Sequence, residues 1–259
     1  MAKNFVVYVN ENKKEALEIL DLVRKKSPDF AYKETSNPSS ASLAFSIGGD
    51  GTVLRAARDL AGLGIPLVHI NTGTLGFLGS DYGDMDSYVS RIFKGNFHTE
   101  DRMMIRAVYN DKEYIALNDI VIKNGSCARV IELGLEIDGE SVADIKGDGV
   151  IISTPTGSTA YSLAAGGPVS EPSLELIILT PLNPHSLSFR PILLDLERII
   201  NVKILSSGEG VILTADGQVS TPLDPSGEIL VSIYESRLKL AQSDRSFFSV
   251  LSDKMGWGT

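Results

Sequence analysis

Two successive domains of different class are expected from the sequence: an α/β domain built on a parallel sheet over residues 1–98, then a mostly β domain over residues 99–237. Three observations lead there. Apolar strand-like runs alternate with amphipathic helical runs as far as Lys94. Two glycine-bearing loops in that region each follow directly on a strand-like run. Beyond Arg102 the pattern changes to short β-rich runs separated by turn signals.

Asn4 to Asn10 is a valine-rich strand, and Lys13 to Lys26 follows with Ala16, Leu17, Ile19, Leu20 and Val23 at helical spacing. Ser27-Pro28 ends that helix, and Ser36 to Ser42 reads as a mobile surface loop around Pro38. Leu43 to Ile47 is a second buried strand that runs into Gly48-Gly49-Asp50-Gly51, with a helix from about Thr52 carrying Val53, Leu54, Ala57 and Leu60 inward. Pro66 to Ile70 is a third strand, followed by the glycine loop Asn71 to Gly79 and a helix from Asp84 to Lys94. Repeated strand–helix alternation implies a Rossmann-like parallel sheet with helices on both faces, in which ligands collect at the carboxyl ends of strands.

The later strands are read at Met103–Tyr109, Tyr114–Lys123, Arg129–Ile137, Ser141–Ile145, Gly149–Ser153, Ile177–Thr180, Ile199–Leu205, Val211–Thr214 and Ile229–Ile233. Asp138-Gly139 is a hairpin signal between two of them, and Asp216-Gly217 is a second favoured hairpin tip. A second, mostly β domain follows from these runs, and it is expected to be β-sandwich-like. The tail 238–259 carries Phe247, Phe248, Val250, Leu251 and Trp257, too apolar to stay in water without cost, and is expected to pack on the first domain or a partner subunit.

At 259 residues, 43% of them hydrophobic and 22% charged, the chain is an ordinary globular one. Its formal charge of −9 opposes broad attraction to nucleic acid or an anionic membrane, so any anionic ligand must be met locally. Cys127 is the single cysteine, which excludes an intrachain disulfide, and with three scattered histidines it makes no metal cluster. Without a signal-like or membrane-spanning stretch, the reading is a cytoplasmic protein.

Gly48-Gly49-Asp50-Gly51-Thr52 lies between strand and helix, where glycines admit a phosphate and a helix start favours negative charge. An acid placed there would repel a phosphate that was merely bound. Asp50 makes sense as a base for a hydroxyl or a partner for a metal, the plain alternative being a helix cap. Arg55 and Arg58, on the following helix, are suited either to a donor phosphate or to solvent.

Gly149 to Pro168 ends a buried strand in a dense set of hydroxyls and glycines, then a helix of small residues. Thr154, Thr156, Ser158, Thr159 and Tyr161 offer donors and acceptors for a ribose or base edge, and Ala160, Ala164 and Ala165 let a flat ring approach the backbone. A serine nucleophile is disfavoured, because Gly157-Ser158 is not part of a G-x-S-x-G elbow. Asn118-Asp119 pairs an amide with a carboxylate that could grip an adenine edge or a ribose diol, although such a dipeptide is more often a turn.

Taken together, GGDGT at Gly48 to Thr52, NTGTLGFL at Asn71 to Leu78, LND at Leu117 to Asp119, GDG at Gly147 to Gly149, STPTGSTAYSLAAGGP at Ser153 to Pro168 and DG at Asp216 resemble the NAD kinase family, in order and over most of the chain. The GGDG element is shared with lipid kinases, whereas the STPTG run is highly specific. The resemblance implies phosphoryl transfer from ATP or polyphosphate to the 2′-hydroxyl of the adenosine ribose of NAD, with Mg²⁺ or another divalent cation, in a homodimer or homotetramer. It makes Asp50 the proton acceptor, and Gly48, Gly49, Thr52 and Gly73 parts of the phosphate loops. It assigns the dinucleotide to Gly51, Arg55, Asn118, Asp119, Arg129, Lys146, Asp148, Thr159, Ala160, Tyr161, Ser162, Leu163, Ala164 and Gln218, some from a neighbouring subunit. No nucleic acid or membrane partner is expected, and no individual metal ligand is assigned.

Overall fold

The computed structural model describes residues 3–73, 76–79, 82–125, 130–186, 188–206 and 210–256. They form two compact units, one made from the chain up to Asp101 together with the segment from Arg237 onward, the other from Arg102 to Ser236.

In the first unit, β1 (Lys3–Val9) leads into α1 (Lys14–Lys26), which ends in a 3₁₀ turn at Ser27–Phe30. Next come β2 (Tyr32–Glu34), β3 (Leu43–Gly48), α2 (Asp50–Leu60), β4 (Leu67–Asn71), α3 (Met85–Phe93) and β5 (Thr99–Arg102). The expected mobile loop at 36–42 instead contains a short 3₁₀ turn, Pro38–Ser40, because the Asn37 side chain caps it by accepting from Ser39 N–H. Strand β2 escaped the sequence reading: its three residues, Tyr-Lys-Glu, lie on a sheet edge and carry no apolar alternation.

Alternation along the strands divides the two faces. Phe5, Phe45, Ile47, Val68 and Ile70 join α1 and α3 in one core, with Phe93 tilted against Phe45 at 5.4 Å between ring centroids. Strands β1, β3 and β4 also receive α2, whose Arg55 lies over the ring of Tyr8, a β1 residue two positions from Val6. Pairing of β1 with β3 and of β3 with β4 is parallel, which brings Gly48 level with Asn71 at the sheet's carboxyl edge.

The second unit contains β6 (Ile105–Tyr109), β7 (Lys112–Ala116), β8 (Asp119–Asn124), β9 (Ile131–Ile137), β10 (Glu140–Gly147) and β11 (Gly149–Ser153). A 3₁₀ turn at Thr156–Thr159 and the single-turn helix α4 (Tyr161–Ala164) precede β12 (Leu176–Leu182), β13 (Ile192–Asp195), β14 (Ile200–Ile204), β15 (Val211–Ala215), β16 (Val219–Pro222) and β17 (Glu228–Ile233). One six-stranded sheet has the order β10-β9-β14-β17-β6-β7, the other β13-β12-β11-β8-β15-β16. Their inner faces share one core that includes Ile122, Ile152 and Leu213 from one sheet and Leu135, Val202 and Val231 from the other, the signature of a sandwich. On the outer face of the second sheet, Val121, Ile151 and Leu182 pack with Ala165, just after α4.

The chain returns to the first unit in β18 (Leu238–Ala241), parallel to β4, giving the sheet order β2-β1-β3-β4-β18-β5. Helix α5 (Phe247–Met255) follows, with Val250 and Leu251 buried and the Phe247 ring 6.2 Å from that of Phe77. Phe248 stays 62% exposed, and Trp257 lies outside the described residues. No helix among the described residues is long and apolar enough to cross a membrane.

Candidate active site

In the first unit the site is built around the end of β3. Gly49 is the extended residue before α2, and Asp50 is the first residue of the helix rather than part of a loop ending near Thr52. Thr52 N–H donates to Gly49 carbonyl at 2.9 Å, closing the turn. Asp50 is exposed as a residue, but its carboxyl end meets the backbone of Gly76 so closely that a β-carbon at 76 would come 2.7 Å from Asp50 Cγ. Loss of water around the carboxylate raises its pKa above the usual carboxylate range, partly offset by Lys254. A carboxylate so placed is a better proton acceptor than one free in water.

Gly73 stands beside Lys13 Nζ, which donates to the Thr72 carbonyl, so a cation lies at the start of the second glycine loop. Thr74 lies outside the described residues. Arg55 turns toward Tyr8 and Asp59 in a groove of about 650 Å³ that also includes Arg24, Glu34 and Thr35. Lys13 was not among the residues singled out from sequence; its position before an ordinary amphipathic helix gave no signal.

In the second unit, Leu117-Asn118 interrupts what the sequence presents as one long strand, separating β7 from β8. The cause is Asp216, at the β15–β16 turn. Its carboxylate accepts from the N–H groups of Leu117 (3.1 Å), Asn118 (2.7 Å) and Asp119 (3.3 Å). From the other side Thr154 Oγ donates to Leu117 carbonyl at 2.6 Å, and Thr154 N–H to Asn118 carbonyl at 2.9 Å. Gly157 fits against the Asn118 carbonyl so tightly that a β-carbon would lie 2.7 Å from Asn118 Cα. Half-buried Asn118 and buried Asp119 are thereby fixed next to the hydroxyl-rich turn. Burial, then the charge of Asp216, raises the Asp119 pKa to about 7, with Lys123 acting in the opposite direction.

The remaining predicted residues are less uniform in placement. Tyr161 is 42% exposed, with Lys123 Nζ 5.7 Å from its ring centroid. Thr159, Ala160 and Leu163 are half-buried, and Ala164 is exposed. The helix of small residues expected after the turn is one turn long. Ser162 is buried and its hydroxyl pairs with Thr180 at 2.9 Å, so that side chain serves the fold. Lys146 is exposed and paired with Glu132, while Asp148 accepts from Asn183 at 2.6 Å. Gln218 is exposed on the β15–β16 connection. Arg129 lies outside the described residues, as does Cys127.

An acid crowded at the start of a helix, where a plain phosphate binder would place only amides, fits the loop of a phosphotransferase. The chain belongs to the NAD kinase family: residues 4–96 match the ATP-NAD kinase N-terminal domain and residues 117–243 the ATP-NAD kinase C-terminal domain. It is 42% identical over 221 residues to the NAD kinase of Koribacter versatilis, covering 83% of this chain and 78% of that one. With the NAD kinase of Geotalea daltonii it shares 37% over 244 residues, 92% of this chain and 86% of the relative. Among solved structures, yeast NADH kinase complexed with NADH superposes with a TM-score of 0.87 at 25% identity, over 100% of this chain and 89% of that one. An NAD kinase from Archaeoglobus fulgidus in complex with ATP gives 0.79 at 29% identity, over 100% of both chains.

Proposed function

We propose that the protein transfers the terminal phosphoryl group of ATP to the 2′-hydroxyl of the adenosine ribose of NAD, giving NADP and ADP. Asp50 carries the reading, because the carboxyl held against Gly76 has its pKa raised by loss of water. It accepts the hydroxyl proton as the ribose oxygen bonds to phosphorus and the bond to the departing ADP oxygen breaks. Gly48, Gly49, Gly51, Thr52 and Gly73 make room for phosphates, and Asn118, Asp119, Thr159, Ala160 and Tyr161 hold the dinucleotide.

Among the described residues no group of three His, Cys, Asp or Glu side chains is able to hold a metal ion. A cation such as Mg²⁺ would neutralise charge on the transferring phosphoryl group, with Asp50 as the carboxylate of the first glycine loop that would help hold it. Polyphosphate as an alternative donor, a cytoplasmic location and a homodimeric or homotetrameric assembly belong to the same reading.

The test is a coupled assay with NAD, ATP and Mg²⁺, reading NADP through an NADP-specific dehydrogenase, with folded Asp50→Asn alongside. Wild type should form NADP and the variant should lose about 10²- to 10⁴-fold in turnover. Absence of NADP with both ATP and polyphosphate sinks the proposal, and near-normal turnover of the variant removes Asp50 as the base.

A further inference from the structure

We propose that Asp216 is a positioning residue for the dinucleotide: by binding three successive backbone N–H groups it sets the direction in which Asn118 and Asp119 are presented to substrate. The inference rests on the reading that Asn118 and Asp119 contact NAD.

A single carboxylate collecting the N–H groups of Leu117, Asn118 and Asp119 is more than a hairpin requires. The β15–β16 connection is already shaped by its own backbone, with Gln218 N–H donating to Ala215 carbonyl at 3.0 Å and Asp216 at φ 51°. Asp216 N–H also donates to Asp119 carbonyl at 2.9 Å, so the two segments hold each other in both directions. The consequence is the break between β7 and β8. Three N–H groups that would otherwise seek a strand partner are taken by Asp216, and the chain turns there instead of continuing.

Charge adds a second effect. Asp216 is only 8% exposed, its carboxylate accepts from three N–H donors, and its charge acts on the neighbouring Asp119 to raise that residue's pKa. Facing Asp119 are Asp216 from the β15–β16 turn, Lys123 along β8, and uncharged Ser153 opposite it on β11. Asp216 thus favours a protonated Asp119, able to donate as well as accept toward a ribose hydroxyl.

The measurement is steady-state kinetics on the full chain with NAD and ATP varied separately from pH 5.5 to 9, an interval set about the Asp119 pKa of about 7. Asp216→Asn should raise KM for NAD by roughly tenfold or more, with KM for ATP little changed. It should also move the NAD-linked limb near neutrality to lower pH, because the charge raising the Asp119 pKa is gone. Asp216→Glu keeps the charge but displaces it, so it should raise KM for NAD without moving that limb. If Asp216→Asn fails to fold, Asp216→Glu alone carries the KM outcome. Wild-type kinetics and Asn118→Ala separate the failures: no NADP from wild type, or an Asn118→Ala variant with unchanged KM for NAD, defeats the underlying reading. A sensitive Asn118→Ala alongside Asp216 variants with unchanged KM for NAD overturns the positioning role.

Discussion

Gly76 leaves no room for a side chain beside Asp50: a β-carbon there would lie 2.7 Å from Asp50 Cγ and closer still to its carboxylate oxygens. The absence of a side chain lets the proposed base lie directly against the Gly76 backbone, and that close approach limits the water around it. Gly76→Ala should therefore reduce kcat by about 10- to 100-fold through displacement of the carboxylate, with melting temperature little affected. Turnover and thermal melting measured together decide it; wild-type kcat in the alanine variant would show that the carboxylate tolerates the shift.

Ser162 gives the opposite kind of prediction. Its hydroxyl lies inside the second unit against Thr180, and a β-carbon at Gly167 would crowd it. Ser162→Ala leaves the Thr180 hydroxyl short of a partner and should cost about 1–2 kcal/mol in a denaturant titration. KM for NAD should stay within about twofold of wild type, a change of well under 1 kcal/mol. A large rise in KM with unaltered stability would mean that the side chain reaches the ligand after all.

His69 is 3% exposed, its Nδ1 lies 3.1 Å from the Ser46 carbonyl, and burial lowers its pKa to about 4. The unfolded chain takes up the proton first, near the ordinary value of about 6.5. The His69 contribution to stability is therefore intact above that pH and is lost as pH falls toward 4. Unfolding free energy of wild type relative to His69→Gln should decline across that window by about 3 kcal/mol at most. Parallel pH curves for the two proteins would contradict a neutral buried imidazole.

The sequence shows its local patterns well and its long-range ones poorly. Helix α1 follows from apolar residues at helical spacing, and strands β1, β3 and β11 from short apolar runs, the last two buried along their whole length. The Asp138-Gly139 hairpin follows from turn chemistry, with φ of 52° and 82° at the two residues. The strand-like stretch from Tyr114 to Lys123 hides the break at Asn118, since the acid that causes it lies 98 residues further along. Asp216-Gly217 reads from sequence as a hairpin tip and as one motif of the family resemblance, but neither reading points to its contact with residues 117–119. Likewise NTGTLGFL points to a glycine loop, but only the approach of Asp50 gives Gly76 its reason.

Strand order and synthesis order do not agree in the first unit. β18 lies between β4 and β5 in the sheet, although both neighbours leave the ribosome long before it. Until the last part of the chain emerges, β4 presents an open hydrogen-bonding edge and β5 has no sheet to join. The segment from Arg102 to Ser236, made in between, brings together all the strands of its own two sheets without that delay. The nascent protein thus holds its first-made half in waiting while its second-made half closes, and a chain cut short before Leu238 would leave the earlier half unfinished.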